Sequence, residues 1–266
     1  MEKPQLVKIV VPIYKTELNQ FEKMSLKRND QILQVYPRVF IKPQSLDITI
    51  IQKEFPEFSV ENFQDDYFTS IQSYNRLMMS PELYKRFNDF KYILICQLDV
   101  FIFRDELAEW CKKDYDYIGA PWIIPFSYYL PIVRQYRNWI RKPGIQIRDN
   151  KVGNGGLSLR KVDSHLKASI LLQDVITYYL AQSKSKGYIY NEDVFFSIEV
   201  NKHGMNFQYP TCQEALRFSF DRYPALCYRK NKKSLHFGCH GWFNRRERKF
   251  WFPIIKPSHY SFTKSN

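Results

Sequence analysis

The sequence predicts an α/β fold: one domain with a mostly parallel central sheet and helices on both faces. Three observations predict it. Short, β-branched, nearly all-apolar runs occur at Val7–Ile13 and Tyr92–Gln97, as in strands buried on both faces. Between and after them lie segments with helical spacing, so strand and helix alternate through about the first 120 residues. The chain's 266 residues are enough for one α/β domain. A chain of this size hides roughly 75% of its unfolded surface.

In order, Val7–Ile13 is the first strand. Glu17–Val35 is helix-compatible through Phe21, Met24, Ile32 and Val35, and Pro37 blocks continuation. Arg38–Lys42 is a second strand. A helical pattern at Ser70–Met79 restarts at Pro81 and runs through Phe87. The strongest strand, Tyr92–Gln97, ends at Gln97-Leu98-Asp99. Asp105 is placed to cap a helix through Lys113, and Tyr115–Ile118 is another short strand. Pro121–Lys151, with Pro121, Pro125, Pro131 and Pro143, is expected to be a long excursion of the kind that forms lids or binding loops. Helix returns at Val162–Gln182, Ser183–Gly187 is a turn, and Asn191 caps a helix Glu192–Lys202 that Gly204 stops. The tail is expected to be irregular.

Composition bounds the function. Apolar residues at 44% and charged residues at 25% are ordinary for a globular protein. The aromatic share of 17% suits sheet faces and sugar- or base-stacking surfaces. The formal charge of +13 predicts anionic partners. Basic residues thicken at Arg229, Lys230, Lys232, Lys233 and again at Arg245, Arg246, Arg248, Lys249, which makes an anionic membrane surface one candidate partner. No nucleic-acid motif accompanies the charge, so nucleic acid is not an expected partner. Five scattered cysteines without a C-x-x-C pair argue against a disulfide framework or a structural zinc site and fit a reducing cytosol. No apolar run approaches membrane-spanning length. The expected location is cytoplasmic, with peripheral contact to the inner membrane face as an option.

Four segments carry candidate chemistry. Asp99 stands at the carboxyl end of a buried strand, where open α/β sheets bind ligands; a carboxylate there can hold a hard cation, or simply start a turn. Val152–Leu159 spends three of the nine glycines within four positions. That favours close backbone approach to a ligand over an ordinary tight turn. Glu192 and Asp193 open a helix; they complement its dipole or supply a base that takes a hydroxyl proton. His236 and His240 flank Gly238 in HFGCHGW, a loop in which a histidine can bind metal or phosphate, or only a neighbouring side chain.

Taken together, the order of these segments resembles the metal-dependent A-type glycosyltransferases. It is similar, more closely, to an uncharacterised family of bacterial glycosyltransferase-like proteins. The stretches that carry the resemblance are VVPIYK, KPQSLD, SYNRLM, QLDVF, YIGAPW, VGNGGLSLRK, NEDVFFS and HFGCHGW, from Val10 to Trp242. The resemblance implies a hexosyltransferase-like enzyme that moves a sugar from a nucleotide-sugar donor to a glycan or lipid-linked acceptor, as in polysaccharide biosynthesis. It implies a divalent cation, Mn2+ or Mg2+, on Asp99 and His240, with His236 as the alternative histidine. Gly155 and Gly156 match the loop near the donor sugar, and Asp193, beside Glu192, matches the catalytic base. Pro12 and Tyr14 would lie near the nucleotide base. Residues 1–120 would form the nucleotide-binding half; 121–266 would bind donor sugar and acceptor, with Trp122–Trp139 as a lid or acceptor wall.

One departure bears on the metal. The first acidic position of the D-x-D motif is Gln97, a neutral amide that ligates only through its carbonyl oxygen. Two rival functions remain: a sugar nucleotidyltransferase, disfavoured because PIYKTEL after the first strand has no glycine, and a glycan- or nucleotide-binding relative without turnover.

Overall fold

The computed structural model describes residues 4–140, 148–186 and 190–256. Its strands are β1 Gln5–Pro12, β2 Arg38–Pro43, β3 Phe58–Phe63, β4 Phe90–Cys96, β5 Val100–Ile102, β6 Tyr117–Gly119, β7 Leu157–Lys161, β8 Ser219–Phe220 and β9 Gly238–His240. Six of them form the central sheet in the order β3-β2-β1-β4-β7-β6. β1 is parallel to β2 and β4, and β2 to β3. β7 runs antiparallel to both β4 and β6, so β6 regains the common direction.

Burial on both faces explains the apolar runs. Ile9, Val11, Phe40, Leu94 and Cys96 belong to one core layer; Val10, Val39, Ile41, Ile93 and Ile95 belong to the other. Successive strand side chains alternate faces, so a strand covered twice must be apolar at every position. Each buried Val, Leu or Ile contributes about 1.5–3 kcal/mol relative to exposure. The helix Gln20–Ile32 begins with a capping box: Asn19 Oδ1 accepts from the Phe21 and Glu22 amides, and Glu22 accepts from the Asn19 amide.

Several elements differ from expectation. A second sheet, β5-β9-β8, pairs β5 antiparallel to β9 and β9 parallel to β8. The C-terminal segment is not irregular: it holds helices Cys212–Phe218, Pro224–Lys230 and Arg248–Ile255 besides β8 and β9. Their apolar residues, including Leu216, Phe220, Trp242 and Trp251, form a third core layer. The expected long helix is two, Val162–Leu171 and Gln173–Lys186, and the second runs through the expected turn. The helix that starts at Glu192 widens to a π-helix over Phe195–Glu199. Asp105 Oδ1 accepts from the Leu107 amide, so that helix starts at Leu107. Pro143 and Gly187 lie outside the described residues.

Chain order places the site. β1, β2 and β3 step outward one way, and β4 returns on the other side of β1. The carboxyl ends of β1 and β4 therefore form the switch point at which such sheets bind ligands. No helix among the described residues is long and apolar enough to cross a membrane.

Candidate functional site

Asp99 follows β4 and immediately precedes β5. The β5–β9 pairing sets Val100 opposite His240, and the Gly241 amide donates to the Asp99 carbonyl at 3.0 Å. The second sheet thus brings two residues 141 positions apart to one point. His240 Nε2 lies 3.1 Å from Asp99 Oδ1 and 3.3 Å from Gln97 Oε1. His240 Nδ1 donates to Asp221 Oδ1 at 3.0 Å. Both ring nitrogens face acceptors, which favours a positively charged ring; a cation bound at Nε2 would take the place of that nitrogen's proton. Burial opposes that charge, but Asp99 and Asp221 outweigh it and hold its pKa well above the ordinary histidine value. Burial likewise opposes charge on Asp99, and His240 holds its carboxyl below the usual value.

The glycine loop lies against this cluster. A Cβ on Gly156 would overlap the His240 ring, one on Gly155 would overlap Glu192 Oε1, and one on Gly153 would overlap the Trp122 ring. The scarce glycines are thus spent where neighbouring side chains need the space. Asn154, at φ +68°, turns the chain. Its Oδ1 accepts from the Gly156 amide at 3.1 Å, and the Gln97 amide donates to the Gly156 carbonyl at 2.9 Å.

The two adjacent carboxylates have different surroundings. Glu192 ion-pairs with Arg160 at 2.9 Å, with side chains 6% and 0% exposed. The carboxylate is committed to that guanidinium. Asp193 is half-buried, and its Oδ1 accepts from the Val194 amide at 2.8 Å. Burial and then the charge of Glu192 push its carboxyl up to about 7, against the pull of Arg148. A base with that pKa can take a proton near neutrality.

Pro12 ends β1 in a buried position, and Tyr14, two residues on, is 56% exposed. Burial and then nearby charges, Asp99 among them, act on the Tyr14 hydroxyl and raise its pKa. His236 is directed elsewhere: its Nδ1 lies 3.6 Å from Glu106 Oε1. The four candidate segments therefore meet, with His240 rather than His236 at the junction.

Sequence reasoning missed Asp221, Asn154 and Arg160. Arg160 hid inside the strand that follows the glycines. Asp221 carried no signal, because only the β8–β9 pairing brings it to His240. Asn154 was legible as the turn residue of Asn-Gly.

A divalent cation can be tested against the donors. Among the described residues no three His, Cys, Asp or Glu side chains form a metal cage. Nε2 of His240, Oδ1 of Asp99 and the Gln97 amide oxygen nonetheless converge at 3.1 and 3.3 Å. Ligands around a small cation with bonds near 2.1 Å stand about 3 Å apart. Asp221 on the far ring nitrogen is the outer carboxylate that orients a ligating histidine. The donor set therefore fits a divalent ion, on fewer charges than a pair of acidic residues would provide.

Comparison with known proteins adds the fold. The model of a family of proteins of unknown function, DUF5672, matches residues 57–240. No curated protein matches the chain by sequence. Among solved structures, the galactosyltransferase LgtC, in complex with donor and acceptor sugar analogues, aligns over 97% of this chain and 98% of its own at 11% identity, with a TM-score of 0.55. A glycosyltransferase involved in glycosylating the major capsid of PBCV-1 aligns over 92% and 96% at 8% identity, with a TM-score of 0.50. At such identities the likeness is one of fold, and the fold is that of the A-type glycosyltransferases.

Proposed function

This chain belongs to the DUF5672 family, and we propose that it is a glycosyltransferase that moves a sugar from a nucleotide-sugar donor to a glycan or lipid-linked acceptor. The observation that carries the proposal is the meeting of the four segments: Asp99 on His240, His240 on Gly156, Gly155 on Glu192, all beyond the carboxyl ends of the central sheet.

In this reading residues 1–120 hold the nucleotide, with Pro12 and Tyr14 beside the base, and 121–266 hold donor sugar and acceptor. Asp99, His240 and Gln97 would hold Mn2+ or Mg2+. When bound, such a cation supplies positive charge to the donor diphosphate. Asp221 keeps the His240 ring oriented. Arg160 and Glu192 fix the helix start that presents Asp193. The acceptor hydroxyl forms a bond to the donor's anomeric carbon as the bond to the diphosphate breaks. Asp193 takes the hydroxyl proton, and the electron pair leaves with the diphosphate. Trp122, against Gly153, helps exclude water.

Attack assisted by Asp193 implies inversion; an NMR spectrum showing retained configuration in the product would remove Asp193 from the role. A thermal-shift panel of nucleotide sugars with and without Mn2+ tests the class, since a ligand that binds the folded state raises its melting temperature. The expected result is one donor that stabilises more with Mn2+ and is slowly hydrolysed. Gln97 favours a second reading, a binding relative without turnover. Stabilisation without donor hydrolysis or transfer to any acceptor would select it.

A further inference from the structure

A groove of about 690 Å³ opens between residues 123–129 and the helix Pro224–Lys230. Ile124, Phe126 and Tyr129 form one wall; Leu226, Arg229 and Lys230 on the helix Pro224–Lys230 form the other. The walls are tied together where Tyr128 Oη and Tyr223 Oη hydrogen-bond at 2.9 Å. The Tyr129 hydroxyl accepts from the Asn150 side chain at the base of the aromatic wall.

The groove connects to the candidate base. A narrower cleft shares Ile123 and Ile124 with it and is lined also by Trp122 and Arg148. Trp122 covers Gly153, and the Arg148 charge acts on Asp193. The groove thus adjoins a cleft lined by the arginine whose charge acts on Asp193.

The chemistry of the walls is uneven. Phe126 is 80% and Tyr129 53% exposed. Large aromatic faces left in water beside a cavity suit the apolar face of a pyranose ring. Opposite them Arg229 and Lys230 are exposed, and among the described residues no carboxylate lies within ion-pair distance of either. Two unmatched cations facing an aromatic wall specify a ring with an anionic substituent.

We propose that this groove binds the acceptor, and that the acceptor is a saccharide bearing a carboxylate or phosphate held by Arg229 and Lys230. Only the word acceptor rests on the transferase reading; the binding of an acidic sugar stands or falls separately.

The test is titration calorimetry on the full chain at low salt with three probes: a glucuronic-acid-terminated disaccharide, its neutral glucose counterpart, and a glucose-6-phosphate-terminated one. Wild-type protein is expected to bind at least one acidic probe about tenfold more tightly than the neutral one, as charge-assisted contacts imply. Which acidic probe wins separates carboxylate from phosphate. R229A/K230A is expected to remove that preference, so that the acidic probes bind no more tightly than the neutral one. K232A/K233A removes the same charge from the same surface and is expected to keep the preference. Phe126→Ala is expected to weaken all three probes alike. Equal binding of acidic and neutral probes overturns the proposal. So does equal loss in the two double variants, which would reduce the effect to net charge. Donor hydrolysis, measured alongside, reports on the transferase reading independently.

Discussion

Two charged clusters lie on either side of one glycine pair, and they differ in kind. Gly155 faces the Arg160–Glu192 pair, which is sealed. Gly156 faces His240 with Asp99 and Gln97, where the Asp99 and His240 side chains remain 24% and 17% exposed. The sealed pair is closed to solvent and, in this account, holds the helix start that presents Asp193. The open cluster has access to solvent. Glu192 and Asp193 repeat the contrast at adjacent positions: one carboxylate is neutralised by a guanidinium, the other is left with burial and a like charge, and its pKa rises to about 7. Function, in this account, sits on the side that solvent reaches.

The largest expected effect comes from Asp193→Asn. Loss of a general base costs roughly 100- to 10,000-fold in kcat. If Asp193 is the base, kcat of the native protein should climb with pH through about 7, and the variant should lose that rise. Stability should move the opposite way. A carboxyl with a raised folded pKa keeps a proton that the unfolded chain releases, so it weakens the fold as pH rises from about 4 to 7. D193N should therefore melt higher than native at pH 8 and equally near pH 4. Loss of activity together with loss of stability would make Asp193 a structural residue.

Next is Arg160→Met. Leaving Glu192 buried without its cation should cost about 3–5 kcal/mol, seen calorimetrically as a melting temperature lower by on the order of 10 °C. Adding Glu192→Met should restore most of it. Smaller again is the split between the two glycines. Gly156→Ala displaces the His240 ring and should weaken Mn2+ binding by about tenfold or more. Gly155→Ala presses on Glu192 and should lower stability instead. Identical effects from the two would erase the contrast between the clusters. The smallest effect belongs to His236→Ala, expected within about 0.5 kcal/mol of native with Mn2+ binding unchanged.

The legible part of the molecule was the part built from continuous signals. β1 and β4 were readable because doubly covered strands are apolar at every position, and the helix after Ser70 by its apolar spacing, to which the structure adds a serine cap. β7 was obscured by Ser158 and Arg160, polar residues acceptable in a buried strand only because they pair. β5, β8 and β9 are three, two and three residues long, too short for periodicity to show. That small sheet is nevertheless what joins Asp99, His240 and Asp221. The candidate site was therefore readable as residue types and not as contacts. Asp221 depends wholly on a pairing between distant segments, and the choice of His240 over His236 depends on strand register.

The central claim is that the open cluster holds a divalent cation through His240. Pulsed electron paramagnetic resonance of Mn2+ bound with a nucleoside diphosphate tests it directly, because a ligating imidazole nitrogen modulates the spin echo. The account predicts nitrogen modulation in the native protein, loss of it in His240→Ala, and retention in His236→Ala. Bound Mn2+ without nitrogen modulation, or modulation that survives loss of His240, would contradict it.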